Sequence, residues 1–299
     1  MTALLDSAAL DQAGDTGTTP ARLLRAEFMK IRTTDTGWLF LAGFIVFTAL
    51  ALTANGFSTH FQLYPQQGQG DRAHALAAAA QARTPAGVAA ISASMMTSGQ
   101  RIGVIFALLL GVLIVTSEFA NQTAAVTFVT VPRRATVIRA KLAAAACCGA
   151  LFWLAGTIIA AVTTPLFLYS QHVSTSPAGW IVVRSVLLNL VAFVAWGVFG
   201  LGLGAVLRNQ MASVIAAIAV YAGSFGAEGV FTALYNLFHQ GWLLGAPVIA
   251  PALASAVMIM SGQAFPDAPA GWVGGVIMIG YTAALVAGGI ALTKRRDVI

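Results

Sequence analysis

Few side chains in this sequence are placed to do chemistry. The histidines His60, His74, His172 and His239 are scattered, with no spacing that gathers them around a metal. A phosphate-cradling loop of the form GxxxxGK[ST] needs a lysine directly after glycine. The lysines Lys30, Lys141 and Lys294 follow Met29, Ala140 and Thr293, so none completes that motif. The glycines at 200, 202 and 204 resemble a dinucleotide loop only superficially. They lack the third glycine at the right spacing and lie inside an apolar run, where small residues let helices pack closely. Gly271 and Gly275 form a second such pair. Cys147 and Cys148 are adjacent within another apolar run and read as small packing residues, with no disulfide framework. Thr157, Thr163 and Ser213 have no histidine at comparable depth to activate them, so they read as hydroxyls bonded to helix backbone. Arg184 and Glu228 fall near the ends of apolar runs and can snorkel, although Glu228 is a candidate outer gate. No chain of carboxylates or histidines suggests a proton relay.

The elements that carry these residues are set by composition. Of the 299 residues, 58% are hydrophobic and only 9% charged, against about 25% charged in an ordinary soluble domain. Mean hydropathy is +0.82. So little charge cannot cover a soluble fold, which excludes a soluble enzyme, a disordered chain and a nucleic-acid binder. The net charge of +6 collects at the ends of apolar segments, as in a membrane protein that orients itself by charge.

A bilayer crossing takes ~20 apolar residues. Runs near that length fall at 38–55, 95–117, 142–168, 182–206, 211–231 and 271–293. A further apolar stretch at 243–260 contains Gly245, Pro247 and Pro251, and so fits an outer re-entrant segment better than a plain span. Charge parity agrees. Six crossings with both ends cytoplasmic leave only Arg72, Arg83, Arg101 and Arg184 of the 16 basic residues outside, and a seventh would export the Lys294-Arg295-Arg296 tail. The expected fold is therefore an all-α integral membrane protein of six transmembrane helices. Residues 1–20 are a flexible cytoplasmic tail and not a signal peptide, and 21–299 form a single transmembrane domain. The first outer loop is long, with an alanine-rich stretch from Arg72 to Ala82 that predicts a short helix. Trp180, Trp242 and Trp272 mark the outer interface. The Arg208-Asn209-Gln210 connection is so short that the crossings it joins must be antiparallel neighbours.

Two cytoplasmic stretches carry more information than the spans. Before the first crossing, Leu24, Phe28 and Ile31 share one helical face while Arg22, Arg25 and Lys30 lie on another. This is a basic amphipathic helix of the interfacial kind; the plainer reading is a topology signal. Between crossings two and three, residues from Thr116 to Arg134 are too polar to span. The connection exceeds the 2–8 residues or so usual between bundle helices. Asn121 or Thr123 can open a short helix there and Pro132 end it, with Phe119, Val126 and Phe128 as apolar contacts for a soluble partner. The plainer reading is a basic orientation loop.

In order and spacing these stretches resemble the transmembrane permease of type-2 ABC exporters, in the antibiotic- and drug-export branch. The residues concerned are Glu118-Phe119, the threonine-rich run from Thr123 through Thr127 to Thr130, Pro132-Arg133-Arg134 and Lys141. Leu24 to Arg32 resembles the family's elbow helix, with Arg25, Phe28, Lys30 and Arg32, and Gly200 to Arg208 its fourth crossing and turn. The resemblance covers nearly all of the chain beyond residue 20; the long first outer loop departs from the most compact members. It implies a coupling helix at about 118–134 docking on cytoplasmic P-loop ATPase subunits, two per complex. It also implies a second permease subunit, location in the plasma membrane, and ATP with Mg on the partner rather than on this chain. The chain is then a non-catalytic subunit exporting a hydrophobic or amphipathic substrate such as a drug, antibiotic, peptide or lipid. Sparse intramembrane charge fits such cargo, and Phe106, Phe152, Trp153, Phe193 and Trp196 are candidate path residues or else packing aromatics. The alternatives are an ion-coupled secondary transporter and a membrane scaffold or sensor subunit.

Overall fold

The computed structural model describes residues 20–65, 72–120, 134–173, 179–260, 264–265 and 267–295, and among these every regular element is helical. In chain order they are α1 (Pro20–Thr33), α2 (Asp35–Leu63), α3 (Arg72–Ala82), α4 (Pro85–Met96), α5 (Gln100–Ala120), α6 (Arg134–Ser170), α7 (Trp180–Leu207), α8 (Gln210–Phe238), α9 (Trp242–Gly245), α10 (Pro251–Met260) and α11 (Gly271–Arg295). A 3-10 turn, Ala246–Ile249, joins α9 to α10.

Six helical stretches are long and apolar enough to cross a membrane: α2, α4 with α5, α6, α7, α8 and α11. They extend several residues past the apolar runs of the sequence because polar residues continue a helix beyond the part that lipid must cover. α3 has the bounds that its alanine content predicts. α4 is a separate helix where the sequence reading placed the end of the first outer loop and only Met95 and Met96 in the second crossing. Its signals are Thr84, whose hydroxyl caps the Gly87 N–H at 3.2 Å, and Pro85 at the first position. Turn residues Thr97 to Gly99 separate it from α5.

At the other short connection, Arg208 ends α7 in the left-handed conformation (φ 53°), and Asn209 caps α8 by accepting from the Ala212 N–H at 2.9 Å. α7 and α8 are antiparallel neighbours, as that turn requires. The Arg208 guanidinium donates to the Leu292 carbonyl of α11 and lies over the Phe119 ring at the end of α5. The ends of α5, α7 and α11 and the starts of α6 and α8 thus gather at one end of the bundle, together with α1. After α8, at the opposite end, α9 with its 3-10 turn and α10 are bent by 107° to one another. Trp180, Trp242 and Trp272 are all exposed at that opposite end, where an interfacial belt is expected.

The core is built around α5 and α7, the most buried spans. Glycine sets their approach: a Cβ on Gly200 would collide with the Leu108 carbonyl oxygen, and one on Gly111 with that of Gly197. Phe44, Phe106, Phe152 and Phe193 interlock beside this contact, with the Phe44 ring 5.1 Å from Phe152 and 5.9 Å from Phe193. On α11, Gly274 closely faces the Ala254 carbonyl of α10 and Gly289 the Ala205 side chain of α7, whereas Gly275 meets only the Met258 side chain at ordinary distance. Cys147 and Cys148 are free thiols in α6, the latter buried.

Candidate functional site

The site begins on α1. Leu24, Phe28 and Ile31 pack against the main core, while Arg25 and Arg32 stay exposed. Glu27 falls on the packed face, in register with Leu24 and Ile31, and is 7% exposed. A carboxylate in that position needs cationic partners, because an unpaired buried charge is costly.

Those partners come from α1 itself and from two spanning helices. Lys141, two turns into α6 and 6% exposed, directs its ammonium to Glu27 Oε1 at 2.9 Å, Glu118 Oε1 at 2.8 Å and the Ile114 carbonyl oxygen at 3.3 Å. Its three donors are therefore all used. Lys30, one turn after Glu27, closes the ring: its Nζ is 2.7 Å from Glu118 Oε1 and 3.4 Å from Glu27 Oε1. Two carboxylates and two ammoniums balance to zero, so the cluster is neutral as a unit although each member is charged. Burial pulls the Lys30 ammonium down, but its hydrogen bond to Glu118 and the charges of Glu27 and Glu118 hold its pKa above the ordinary lysine value.

The cluster joins three helices. Glu118 sits in the last turn of α5 and Lys141 near the start of α6, on either side of residues 121–133, and Glu27 with Lys30 clamps α1 across both. Nothing in the set resembles a nucleophile and base, and among the described residues no cluster of His, Cys, Asp and Glu could hold a metal ion.

The sequence reading placed Glu118, Phe119 and Lys141 with a coupling element. In the structure they belong to the flanking helices: Glu118 and Phe119 continue α5, Phe119 faces Arg208, and Lys141 lies inside α6. Thr123, Thr127, Pro132 and Arg133 lie outside the described residues, and Arg134 opens α6. Glu27 was not singled out from sequence; the signal available was a carboxylate in the apolar stripe of an amphipathic helix. Of the aromatic candidates, Phe152, Phe193 and Trp196 are buried in the chain's own packing. Phe106 and Trp153 are half-buried beside them, Trp153 donating to the Val186 carbonyl at 3.0 Å. Glu228 is half-buried in the second half of α8, away from the charge cluster.

A family model described as ABC-2 family transporter protein matches residues 23–224, more than half of the chain. No curated protein matches it. Proteins of this membrane family are transport permeases, generally non-catalytic, and typically work with ATPase subunits. The matched stretch holds all four members of the charge cluster and the first four of the six spans, and with them the chain belongs to the ABC-2 family of transporter proteins, as a multi-pass membrane protein.

Proposed function

We propose that the chain is the membrane-spanning permease of an ATP-driven exporter for hydrophobic or amphipathic cargo in the plasma membrane. Two permease chains form the path, and two separate P-loop ATPase subunits supply the work, with ATP and Mg bound on them. The end of the bundle bearing α1 faces the cytoplasm, α1 is the elbow helix, and the region 118–134 is the docking element. The bent segment of α9 and α10 is re-entrant on the outer side.

One observation supports this reading above the others: the buried ring of Glu27, Lys30, Glu118 and Lys141 ties α1, α5 and α6 together beside the 121–133 connection. ATP binding draws the ATPase subunits together and pushes on that connection. The ring makes α1, α5 and α6 answer as one body, and hydrolysis resets them. Cargo must bind the two states differently for the cycle to do work.

The test is purification from the native host in mild detergent after crosslinking, with identification of partners and an ATPase assay. A co-purifying P-loop ATPase whose turnover drops in Arg133→Ala, with the permease still inserted in the membrane, is the expected result. Recovery of the chain without any ATPase, or turnover indifferent to both Arg133→Ala and Glu118→Gln, overturns the reading.

A further inference from the structure

The opposite half of the bundle holds a cavity of about 510 Å³ between α2, the α4–α5 break, α8 and α10. Its size is within the range of small-molecule sites. Its lining has two characters. One wall is neutral and polar, with Asn55 and Ser58 of α2, Ser98 of the break, Gln100 of α5 and Ser255 of α10; the other is apolar, with Phe225, Leu253, Ala256 and Met260.

The polar wall is held in place. The Asn55 amide reaches the Ser94 carbonyl and hydroxyl at 3.1 Å and the Ser98 hydroxyl at 2.6 Å. Gln100 donates to Ser255 at 3.2 Å, and the buried Trp196 indole donates to the same hydroxyl at 3.2 Å. The Tyr221 hydroxyl donates to the Arg101 carbonyl. Such groups join helix to helix inside a membrane bundle, and here they also line the cavity.

Arg101 supplies the charge. It is exposed, lines the cavity and sets its guanidinium 5.5 Å from the Phe225 ring centroid. No carboxylate is among the described residues lining the cavity. A planar guanidinium beside hydroxyls and amides is suited to a carboxylate or phosphate, which it can grip with two parallel hydrogen bonds. The apolar wall is suited to an aliphatic chain attached to that head.

We propose that this cavity binds a single-chain amphiphile with a carboxylate or phosphate head, the head on Arg101 and the tail along Phe225, Leu253 and Met260. The assignment of that amphiphile as cargo rests on the permease reading; the binding itself does not.

The test uses the full chain in phosphatidylcholine nanodiscs without any ATPase, so its outcome is independent of partner recruitment. The polyene fatty acid cis-parinarate is titrated and its energy transfer from tryptophan recorded, with empty nanodiscs as the blank. Saturable binding is expected, displaced by dodecanoate or dodecyl phosphate and not by dodecyltrimethylammonium. Arg101→Gln should weaken binding at least about tenfold, as for loss of a charge-assisted pair, and Arg101→Lys should recover only part of it, because a point charge cannot make the two parallel hydrogen bonds. Ala54→Trp, at an exposed rim position that leaves the core untouched, should abolish it. Unchanged affinity in both Arg101→Gln and Ala54→Trp, or equal displacement by the cationic amphiphile, overturns the proposal. Displacement by added phosphatidylglycerol alone assigns the site to bilayer lipid and overturns its assignment to cargo.

Discussion

The two ends of this bundle are held together by different forces. At the α1 end, four full charges are shared among three helices, and three of the four side chains are almost wholly buried. At the opposite end, α2 meets the α4–α5 break through Asn55, Ser94 and Ser98, and α5 meets α10 through Gln100 and Ser255, without formal charge. A neutral hydrogen bond contributes a net ~0.5–1.5 kcal/mol. Breaking a buried ion pair by removing one partner costs ~3–5 kcal/mol, because the other charge is left stranded. Under the proposed cycle, the first end moves as a unit while the second exchanges its hydrogen bonds singly. A transporter that is pushed at one end and opens at the other has use for that asymmetry.

The sharpest way to break the comparison is Lys141→Met. It leaves Glu27 and Glu118 buried with only the half-exposed Lys30 between them. We expect a loss of about 3–5 kcal/mol, read as a large fall in thermal unfolding temperature in detergent. Adding Glu118→Gln to that variant removes one stranded carboxylate and leaves Glu27 balanced by Lys30. The double variant should therefore be more stable than Lys141→Met alone, an interaction of at least about 1 kcal/mol across the cycle. Simple additivity of the two losses would mean that the ring is only a set of contacts and does not act as one neutral unit.

The second effect concerns the axle between the ends, the α5–α7 contact. Gly200→Ala puts a methyl group against the Leu108 carbonyl oxygen, which is backbone and cannot rotate away. Overpacking of this kind costs ~1–3 kcal/mol. Gly226 on α8 has nothing within 4 Å of an added Cβ, so Gly226→Ala should be neutral or slightly stabilising through helix propensity. Equal unfolding temperatures for the two variants would show that α5 and α7 slide apart freely, and would remove the axle from the picture.

How much of this was legible from sequence follows the same division. The spans were legible because lipid imposes a length and an apolarity that no tertiary contact needs to explain. Charge parity led to six crossings; six helices are long and apolar enough to cross, or seven if the bent pair counts as one span, and the Arg208–Leu292 contact ties the turn after α7 to the last helix at one end. Gly200 and Gly204 were recognised as packing glycines, but the partner of each is a tertiary fact. The break at Thr97–Gly99 lies in the polar stretch from Thr97 to Arg101, which the reading took as an outward extension of the second crossing, and Thr84-Pro85 marked the start of α4. Lys30, Glu118 and Lys141 were each singled out by a resemblance in order and spacing. Their convergence was not readable, since 88 residues separate Lys30 from Glu118 along the chain. Glu27 could have been found by asking why a carboxylate lies in register with Leu24 and Ile31.

At the neutral end the expected loss is smaller. Asn55→Leu removes hydrogen bonds to Ser94 and Ser98, yet the Ser98 hydroxyl already reaches the Ser94 carbonyl of its own segment at 3.0 Å. Little is left unsatisfied, and the cost should be near 1 kcal/mol. A loss as large as that of Lys141→Met would erase the contrast between the ends.

The smallest effect tests the charged end against itself. Lys30 joins the same ring as Lys141, but its side chain is 52% exposed where that of Lys141 is 7% exposed. Water screens it, so Lys30→Met should cost no more than about 1 kcal/mol. Its pKa is raised above the ordinary lysine value by its partners, against the opposing pull of burial. Stability that depends on it is therefore fully present below the unfolded value and is lost as pH rises through the higher folded one. The wild-type chain should lose its advantage over Lys30→Met in that alkaline window and at no lower pH. An advantage that persists unchanged above the window would mean that Lys30 acts through its aliphatic stem, leaving Lys141 alone to hold the two carboxylates.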